Sequence, residues 1–517
     1  LAKQRIIILI CCISFLVIGT SVYSDNTNRN LVNVQLLGLN DFHGQLNTHQ
    51  VLFGQKVGGA EYVAAYLKKF KNEQKNTLLV HAGDMVGASP PISSLYKDEP
   101  TIEYLNQLKI DVGTLGNHEF DEGVQEMNRL LQGDQDSGFE GSNTTYISAN
   151  VIDKKTNAQL LPPYVVKEMN GIKIGFIGVL TTETNDYVIY KNREQVHIID
   201  EVSAINQATE QLINKGVKAI IVLAHVSAKS NVTGESPEKA MVKMAPLIHD
   251  EVDIIFTGHS HTYANTTVDN KLIVQGYSYG KAISKVQLQI DSLTGEIVSK
   301  DATIQLTLHN LIDPDKETMK HISAYEKKLT QRKNEVIASI PKSLSRKKDK
   351  NGYSPLAEMV ATSMMAEMDT DMAFTHHGGI RMSLQKGEIT ARDIYTVLPF
   401  NHKVVKTRLT GSQIKKALEQ QWKKDRENLL QPAGISYSIN HAAKIGEKIQ
   451  DLSDKNGHKI VPSKIYSVAI SDYLAFGGDG FTSFKAGKIF VTGSLLRDSF
   501  ADFLASENSN NKSYASQ

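Results

Sequence analysis

Val112-Gly113-Thr114-Leu115-Gly116-Asn117-His118-Glu119 begins as a short apolar run and ends on side chains able to bind a metal. Four other stretches repeat the pattern. Leu36-Leu37-Gly38-Leu39-Asn40 runs into Asp41-Phe42-His43, and Leu78-Leu79-Val80 runs into His81-Ala82-Gly83-Asp84. Ile220-Ile221-Val222-Leu223 runs into Ala224-His225, and Ile254-Ile255-Phe256 into Thr257-Gly258-His259-Ser260-His261. Short runs rich in β-branched residues read as buried strands. Open α/β sheets bind ligands outside the carboxyl ends of their strands. One sheet edge would then gather Asp, His and Asn groups in one place. They exceed what one tetrahedral ion takes and suit two ions sharing a carboxylate. Taken alone, each histidine reads as a hydrogen-bonded core residue, and Asp84 as a helix cap. Five such coincidences at strand ends point instead to one metal centre.

The chain is 517 residues long, more than one core holds, and should form at least two domains. Its formal charge of +1 gives no electrostatic case for a nucleic-acid polymer or a membrane surface as partner. Lys3 and Arg5, the apolar run Ile6 to Ile18, and Val22-Tyr23-Ser24 read as an export signal cut near Asp25. A weak N-terminal anchor is the alternative, since the run is short of the ~20 residues a spanning helix needs. Both cysteines, Cys11 and Cys12, lie inside residues 1–24. The chain from Asp25 onward therefore has no thiolate for a metal site and no disulfide.

Strands alternate with helical stretches from about 31 to 310, the pattern of a layered α/β domain. Residues 313–340 are polar, with Met319, Ile322, Tyr325 and Leu329 at helical spacing, and read as one connecting helix ended by Pro341. Residues 341–505 mix strands and helices, as an α+β domain would. The Ser/Asn-rich tail 506–517 is expected to be disordered.

Asp41-x-His43, Gly83-Asp84, Gly116-Asn117-His118-Glu119, His225 and Gly258-His259-Ser260-His261, in that order, resemble the calcineurin-like metallophosphoesterases. Asn117-His118-Glu119-Phe120-Asp121, Gly378-Gly379-Ile380-Arg381 and Gly477-Gly478-Asp479-Gly480 narrow the resemblance. It is to bacterial secreted 5′-nucleotidases, a family that includes UDP-sugar hydrolases and 2′,3′-cyclic-nucleotide phosphodiesterases. The resemblance spans residues 32 to 504. It implies a four-layer metallophosphoesterase sandwich joined by a helix to a smaller α+β substrate-binding domain. It assigns Asp41, His43, Asp84 and His261 to one metal, and Asp84, Asn117, His225 and His259 to the other, with Asp84 bridging. Imidazole and carboxylate donors suit Zn, Mn, Co or Fe, and the two divalent ions are expected to be Zn, Mn, Co or Mg. His118 is then the catalytic residue facing the phosphoryl group, oriented by Asp121. The alternative for Asp121 is a cap on a helix starting near Glu122.

For the substrate, the resemblance implies phosphate contact by Arg381 and close backbone approach at Gly379. His376-His377 stand where the family usually has Asn-Gly or Ser-Gly, so His376 takes the place of a polar contact residue. Another family arginine corresponds to one of Arg346, Lys347, Lys348 or Lys350, a run that reads equally as a solvated face. Tyr473 occupies one of two aromatic positions that sandwich the base, and Asp479 the ribose-binding acid. The second ring is expected within Leu429-Leu430-Gln431-Pro432-Ala433-Gly434, which has none.

The expectation is a secreted or periplasmic monomeric hydrolase that releases phosphate from nucleoside 5′-monophosphates with metal-activated water. The segment 313–340 would be the hinge between its domains. A diester or pyrophosphate hydrolase shares every metal ligand. A non-catalytic nucleotide-binding protein is a third reading, and it predicts lost ligands.

Overall fold

The last six residues of strand Leu31–Leu39 are buried without interruption, as in a strand covered on both faces. It pairs in parallel with Thr77–His81, which continues in parallel to Val112–Thr114 and Thr145–Ile147. Ala282–Asp291 and Ile297–Leu306 complete this six-stranded sheet on the antiparallel side. In a second six-stranded sheet, Ile172–Leu180, Ala219–His225, Ile254–Thr257 and Lys271–Gly276 run in parallel. This computed structural model describes residues 30–188, 190–329, 336–349, 352–423 and 426–514. The expected signal, 1–24, lies outside them.

The two sheets pack face to face. Val34, Leu36 and Val80 from one meet Phe176, Ile221 and Phe256 from the other in a single buried cluster. Helices Ala60–Glu73 and Glu99–Leu108 cover the outer face of the first sheet. Helix Glu201–Ile213 covers that of the second. The result is the four-layer sandwich implied by the resemblance. One expectation changes: the motif residues leave the carboxyl ends of two facing sheets, not one edge of one sheet.

The smaller domain is built on a five-stranded sheet, ordered Leu430–Ala433, Met372–His376, Ile465–Ser471, Lys403–Thr410 and Lys488–Leu495. Helices Pro355–Met368 and Leu496–Tyr514 pack on one face through Val360, Met364, Phe500 and Leu504. Helix Gly411–Glu419 packs on the other through Ile414 and Leu418.

Two expected elements differ. Residues 313–340 are not one helix. The helix is Lys316–Lys328, and Val336–Ile340 is a strand paired antiparallel with Gly387–Thr390. Val336, Ile337 and Ile340 are β-branched and favour the extended form. The helix also bridges less than expected. Ile322 and Tyr325 are buried in the first domain's outer core, while Met319 is 48% exposed. The tail expected to be disordered continues helix Leu496–Tyr514 to residue 514. Leu496, Phe500 and Leu504 recur every four residues and anchor that helix on the sheet.

Candidate metal centre and substrate cleft

Three of the five motif loops turn sharply as they leave their strands. Asp41, His43, Asp84, His259 and His261 all have left-handed backbone, with φ of 48°, 51°, 53°, 72° and 55°. Side-chain-bearing residues adopt this at a cost of about 1–3 kcal/mol each, and such strain concentrates at functional sites. Backbone hydrogen bonds hold the turns: Asp41 N–H donates to Gly83 O at 3.1 Å and His43 N–H to Asp84 O at 3.1 Å. Gly116 is needed beside them, since a Cβ there would lie 2.2 Å from Asp84 Oδ1.

The turns bring the eight motif side chains Asp41, His43, Asp84, Asn117, His118, His225, His259 and His261 together. Asp41, His43 and His261 form one cluster of donors close enough to hold a cation, and Asp84, His225 and His259 form another. His43 also groups with Asp84 and His118, which links the two. Asp84 Oδ2 lies 3.2 Å from His225 Nε2 and 3.6 Å from His43 Nε2, between the clusters. Asn117 Oδ1 lies 3.1 Å from His225 Nε2 and 3.0 Å from His259 Nδ1.

The hydrogen bonds around these rings test whether a cation fits. His43 Nδ1 faces Gly87 O at 2.9 Å, and His225 Nδ1 faces Ala82 O at 2.9 Å. A carbonyl only accepts, so both Nδ1 atoms donate and both neutral rings present a bare Nε2 inward. His43 Nε2 then faces His261 Nε2 at 3.2 Å, and His225 Nε2 faces a carboxylate and an amide oxygen. The bare His225 Nε2 facing two oxygens needs a positive charge between them. Without an ion, protons serve instead: burial opposes it, but the Asp84 carboxylate raises His225 to about 9. Burial likewise disfavours the charged form of Asp84, yet His225 and His118 hold it well below the usual range. The donor set fits divalent metal.

His118 Nδ1 pairs with Asp121 Oδ2 at 2.8 Å. Burial works against a charged ring here, but Asp121 and Asp84 outweigh it and raise the His118 pKa. The following helix is Val124–Gln132, preceded by Gly123 with no side-chain cap, so Asp121 is not its cap.

Two residues not singled out from the sequence hold the centre in shape. Glu119 is buried and accepts backbone N–H bonds from Asp84 at 3.0 Å, Met85 at 2.8 Å and Gly116 at 2.6 Å. Burial and then the Asp84 charge push its carboxyl up to about 7. Its place beside Asn117 and His118 was the available signal. Glu183 Oε2 meets His259 Nε2 at 3.1 Å and turns Nδ1 toward Asn117. No local pattern marks Glu183.

The centre opens on a cleft of about 1560 Å³ walled on its far side by the second domain. Arg381 and Arg346 both line it, and Lys347 does not. Arg381 Nε and Nη2 and Arg346 Nε are buried without a hydrogen-bond partner. Burial comes first in lowering His43 and His261, and the Arg381 charge adds to it. Gly378 lines the cleft, while Gly379 is buried behind it. A Cβ on Gly379 would lie 2.8 Å from the His376 ring, so this glycine makes room for His376. His376 is 5% exposed and packs on Tyr473 at 4.7 Å between ring centroids. Tyr473 OH donates to Asp479 Oδ1 at 2.7 Å and accepts from Asp479 N–H at 3.0 Å.

The second aromatic ring is not in 429–434. Phe400 lines the cleft instead and lies 5.8 Å from His118 at 26° between ring planes. Arg497 holds its loop, donating to Phe400 O at 3.1 Å and Asn401 Oδ1 at 2.7 Å. Asn401 in turn donates to Glu122 of the first domain at 2.9 Å.

Residues 34–263 match the calcineurin-like phosphoesterase family, and residues 333–486 match the 5′-nucleotidase C-terminal domain. The chain is 36% identical to endonuclease YhcR of Bacillus subtilis over 86% of its own length and 37% of that protein's. It is 32% identical to cell wall protein Lmo0130 of Listeria monocytogenes, over 94% of this chain and 68% of that one. A 5′-nucleotidase precursor from Thermus thermophilus has the same fold, with a TM-score of 0.80 and 25% identity over 92% and 97% of the two chains. Fold and donor set define a metal-dependent phosphoester hydrolase. The chain belongs to the 5′-nucleotidase family, with a calcineurin-like metallophosphoesterase domain and a 5′-nucleotidase C-terminal domain. Among the described residues no helix is long and apolar enough to cross a membrane.

Proposed function

We propose that this protein is an exported 5′-nucleotidase cleaving nucleoside 5′-monophosphates to nucleoside and phosphate. One observation carries the reading: unpartnered guanidinium nitrogens of Arg381 and Arg346 share a cleft with a dense set of metal donors. A phosphate monoester is the anion that needs both, since guanidinium forks its oxygens while cations neutralise the rest.

Asp41, His43, Asp84 and His261 would hold one ion, and Asp84, Asn117, His225 and His259 the second. The pair is Zn, Mn, Co or Mg. When bound, the ions supply Lewis-acid charge that activates water and neutralises the phosphoryl oxygens. His118, held by Asp121, places an imidazolium against charge that builds on the transferred group and can protonate the leaving oxygen. Arg381 and Arg346 fix the phosphate. Phe400 and Tyr473 offer faces for the base. Asp479 keeps one carboxylate oxygen beyond its Tyr473 bond for a ribose hydroxyl. The apolar run Ile6 to Ile18 supports export, and a cell wall protein among the relatives agrees with it. A charge near zero supports a small substrate over a nucleic-acid polymer.

The test is phosphate release from AMP by the chain from Asp25 onward, metal-stripped and then given Mn, Zn, Co or Mg. Release that needs metal and is lost in His118→Ala is expected. No release with any metal, alongside cleavage of a cyclic nucleotide or UDP-glucose, would reject the monoester assignment.

A further inference from the structure

Phe400 and Tyr473 are the rings proposed to face the base, and one side chain of the protein already lies against both. The His402 imidazole lies 5.2 Å from the Phe400 ring at 23° and 5.1 Å from the Tyr473 ring at 35°. Two more rings lie against the pair, and His376 is also 6.4 Å from His402. His118 lies 5.8 Å from Phe400 at 26°, and His376 lies 4.7 Å from Tyr473 at 30°. A base stacked on both faces needs ~3.5–4.0 Å of contact distance on each side. The His402 ring is within contact range of both rings.

The placement follows from local structure. His402 sits just before strand Lys403–Thr410, and its carbonyl accepts from Leu496 N–H at 2.8 Å. Its backbone is therefore fixed. The side chain is held more lightly: Nδ1 is 3.4 Å from Asp472 Oδ1, and the ring keeps 19% of its exposure. It borders the open cleft, so rotation about its side-chain bonds would empty the slot without moving the strand.

We propose that His402 is a specificity-determining plug. Its ring holds the aromatic slot and must swing out before a nucleobase can stack there. The enzyme then discriminates against its own nucleotide substrates relative to phosphate esters with no aromatic group. A phosphate held by Arg381 and the metal centre needs no displacement of His402. A nucleoside phosphate does. The inference rests on the nucleotide reading of this cleft, and binding tests it apart from turnover.

The experiment titrates adenosine into the metal-free full chain by calorimetry, for wild type, His402→Ala and His402→Phe. Removing the ring frees two stacking faces, so His402→Ala should bind adenosine about tenfold more tightly. His402→Phe keeps a ring in the slot and should bind no more tightly than wild type. Matching melting temperatures check that all three fold alike. With metal restored, the ratio of kcat/KM for AMP to that for ribose 5-phosphate should rise about tenfold in His402→Ala. Equal or weaker adenosine binding by His402→Ala would overturn the inference. AMP left intact by every variant would count against the nucleotidase reading alone, because the adenosine titration reads the slot without turnover.

Discussion

The metal centre and the wall opposite it share one cleft but are built in contrasting ways. Around the centre, five residues hold left-handed backbone, His43 and His225 are each pinned by a carbonyl, and Glu119 satisfies three backbone donors. On the wall, buried nitrogens of Arg381, Arg346, His376 and His377 lack partners, and aromatic rings lean on one another. The centre is preorganised, so its strain is balanced within the folded protein. The wall carries unmet hydrogen-bonding capacity that a bound anion would satisfy. Under the proposed function, chemistry belongs to the preorganised half and choice of substrate to the unsatisfied half.

Breaking the centre should have the largest effect. Asp84→Asn removes the charge between the two donor clusters. It should lower kcat/KM by roughly 10³ or more, since cation stabilisation is worth several kcal/mol. Metal analysis should find the loss of bound ions alongside. His118→Ala separates metal binding from proton chemistry. Its kcat should fall ~10²–10⁴-fold while metal content stays at the wild-type level; loss of metal there would reassign His118 as a ligand.

Breaking the wall should act on binding first. Arg381→Lys keeps the charge but loses the fork, and should raise KM for AMP roughly 10–100-fold, as expected for one charge-assisted hydrogen bond. Metal affinity should hold. A change in metal affinity with unaltered KM would erase the division between the two halves.

The smallest effect sharpens the same contrast through pH. Burial first, aided by His402 and Arg381, lowers His376 to about 4. The folded ring stays neutral while the unfolded one takes up a proton below ~6.5. Its contribution to stability is therefore complete above pH 6.5 and is lost as pH falls toward 4. At pH 5 the loss is on the order of 2 kcal/mol. Urea unfolding of metal-free protein at pH 7 and pH 5 should show it, and His376→Gln should shrink the difference. An identical difference in the variant would remove His376 from this account.

The contrast also explains what could be read from the sequence. Donors at the ends of apolar runs are local patterns, because each strand places its ligand within a few residues of its own end. The convergence of Asp41, Asp84, Asn117, His225, His259 and His261 as candidate donors was legible for that reason. Face-to-face packing of two sheets came from the resemblance and not from the local runs, which suggested one edge of one sheet, since it depends on which runs pair across a hundred residues or more. Glu183 reaches His259 across 76 positions and leaves no local trace. The second aromatic ring was sought beside Gly434; the ring that lines the cleft is Phe400, whose carbonyl is held by Arg497 from the last helix. The helix expected over 313–340 failed where β-branched residues met a partner strand that no local window contains. Of the four candidates in the run at 346–350, Lys350 lies outside the described residues, and among the described ones Arg346 lines the cleft.

The most direct test of the central claim is a count of metal ions per chain, by titration of metal-stripped protein with Mn while phosphate release from AMP is followed. Two ions bound per chain, with activity rising only as the second site fills and both sites weakened in Asp84→Asn, is the predicted result. A single ion giving full activity, or Asp84→Asn weakening one site and sparing the other, would contradict a shared carboxylate between paired ions.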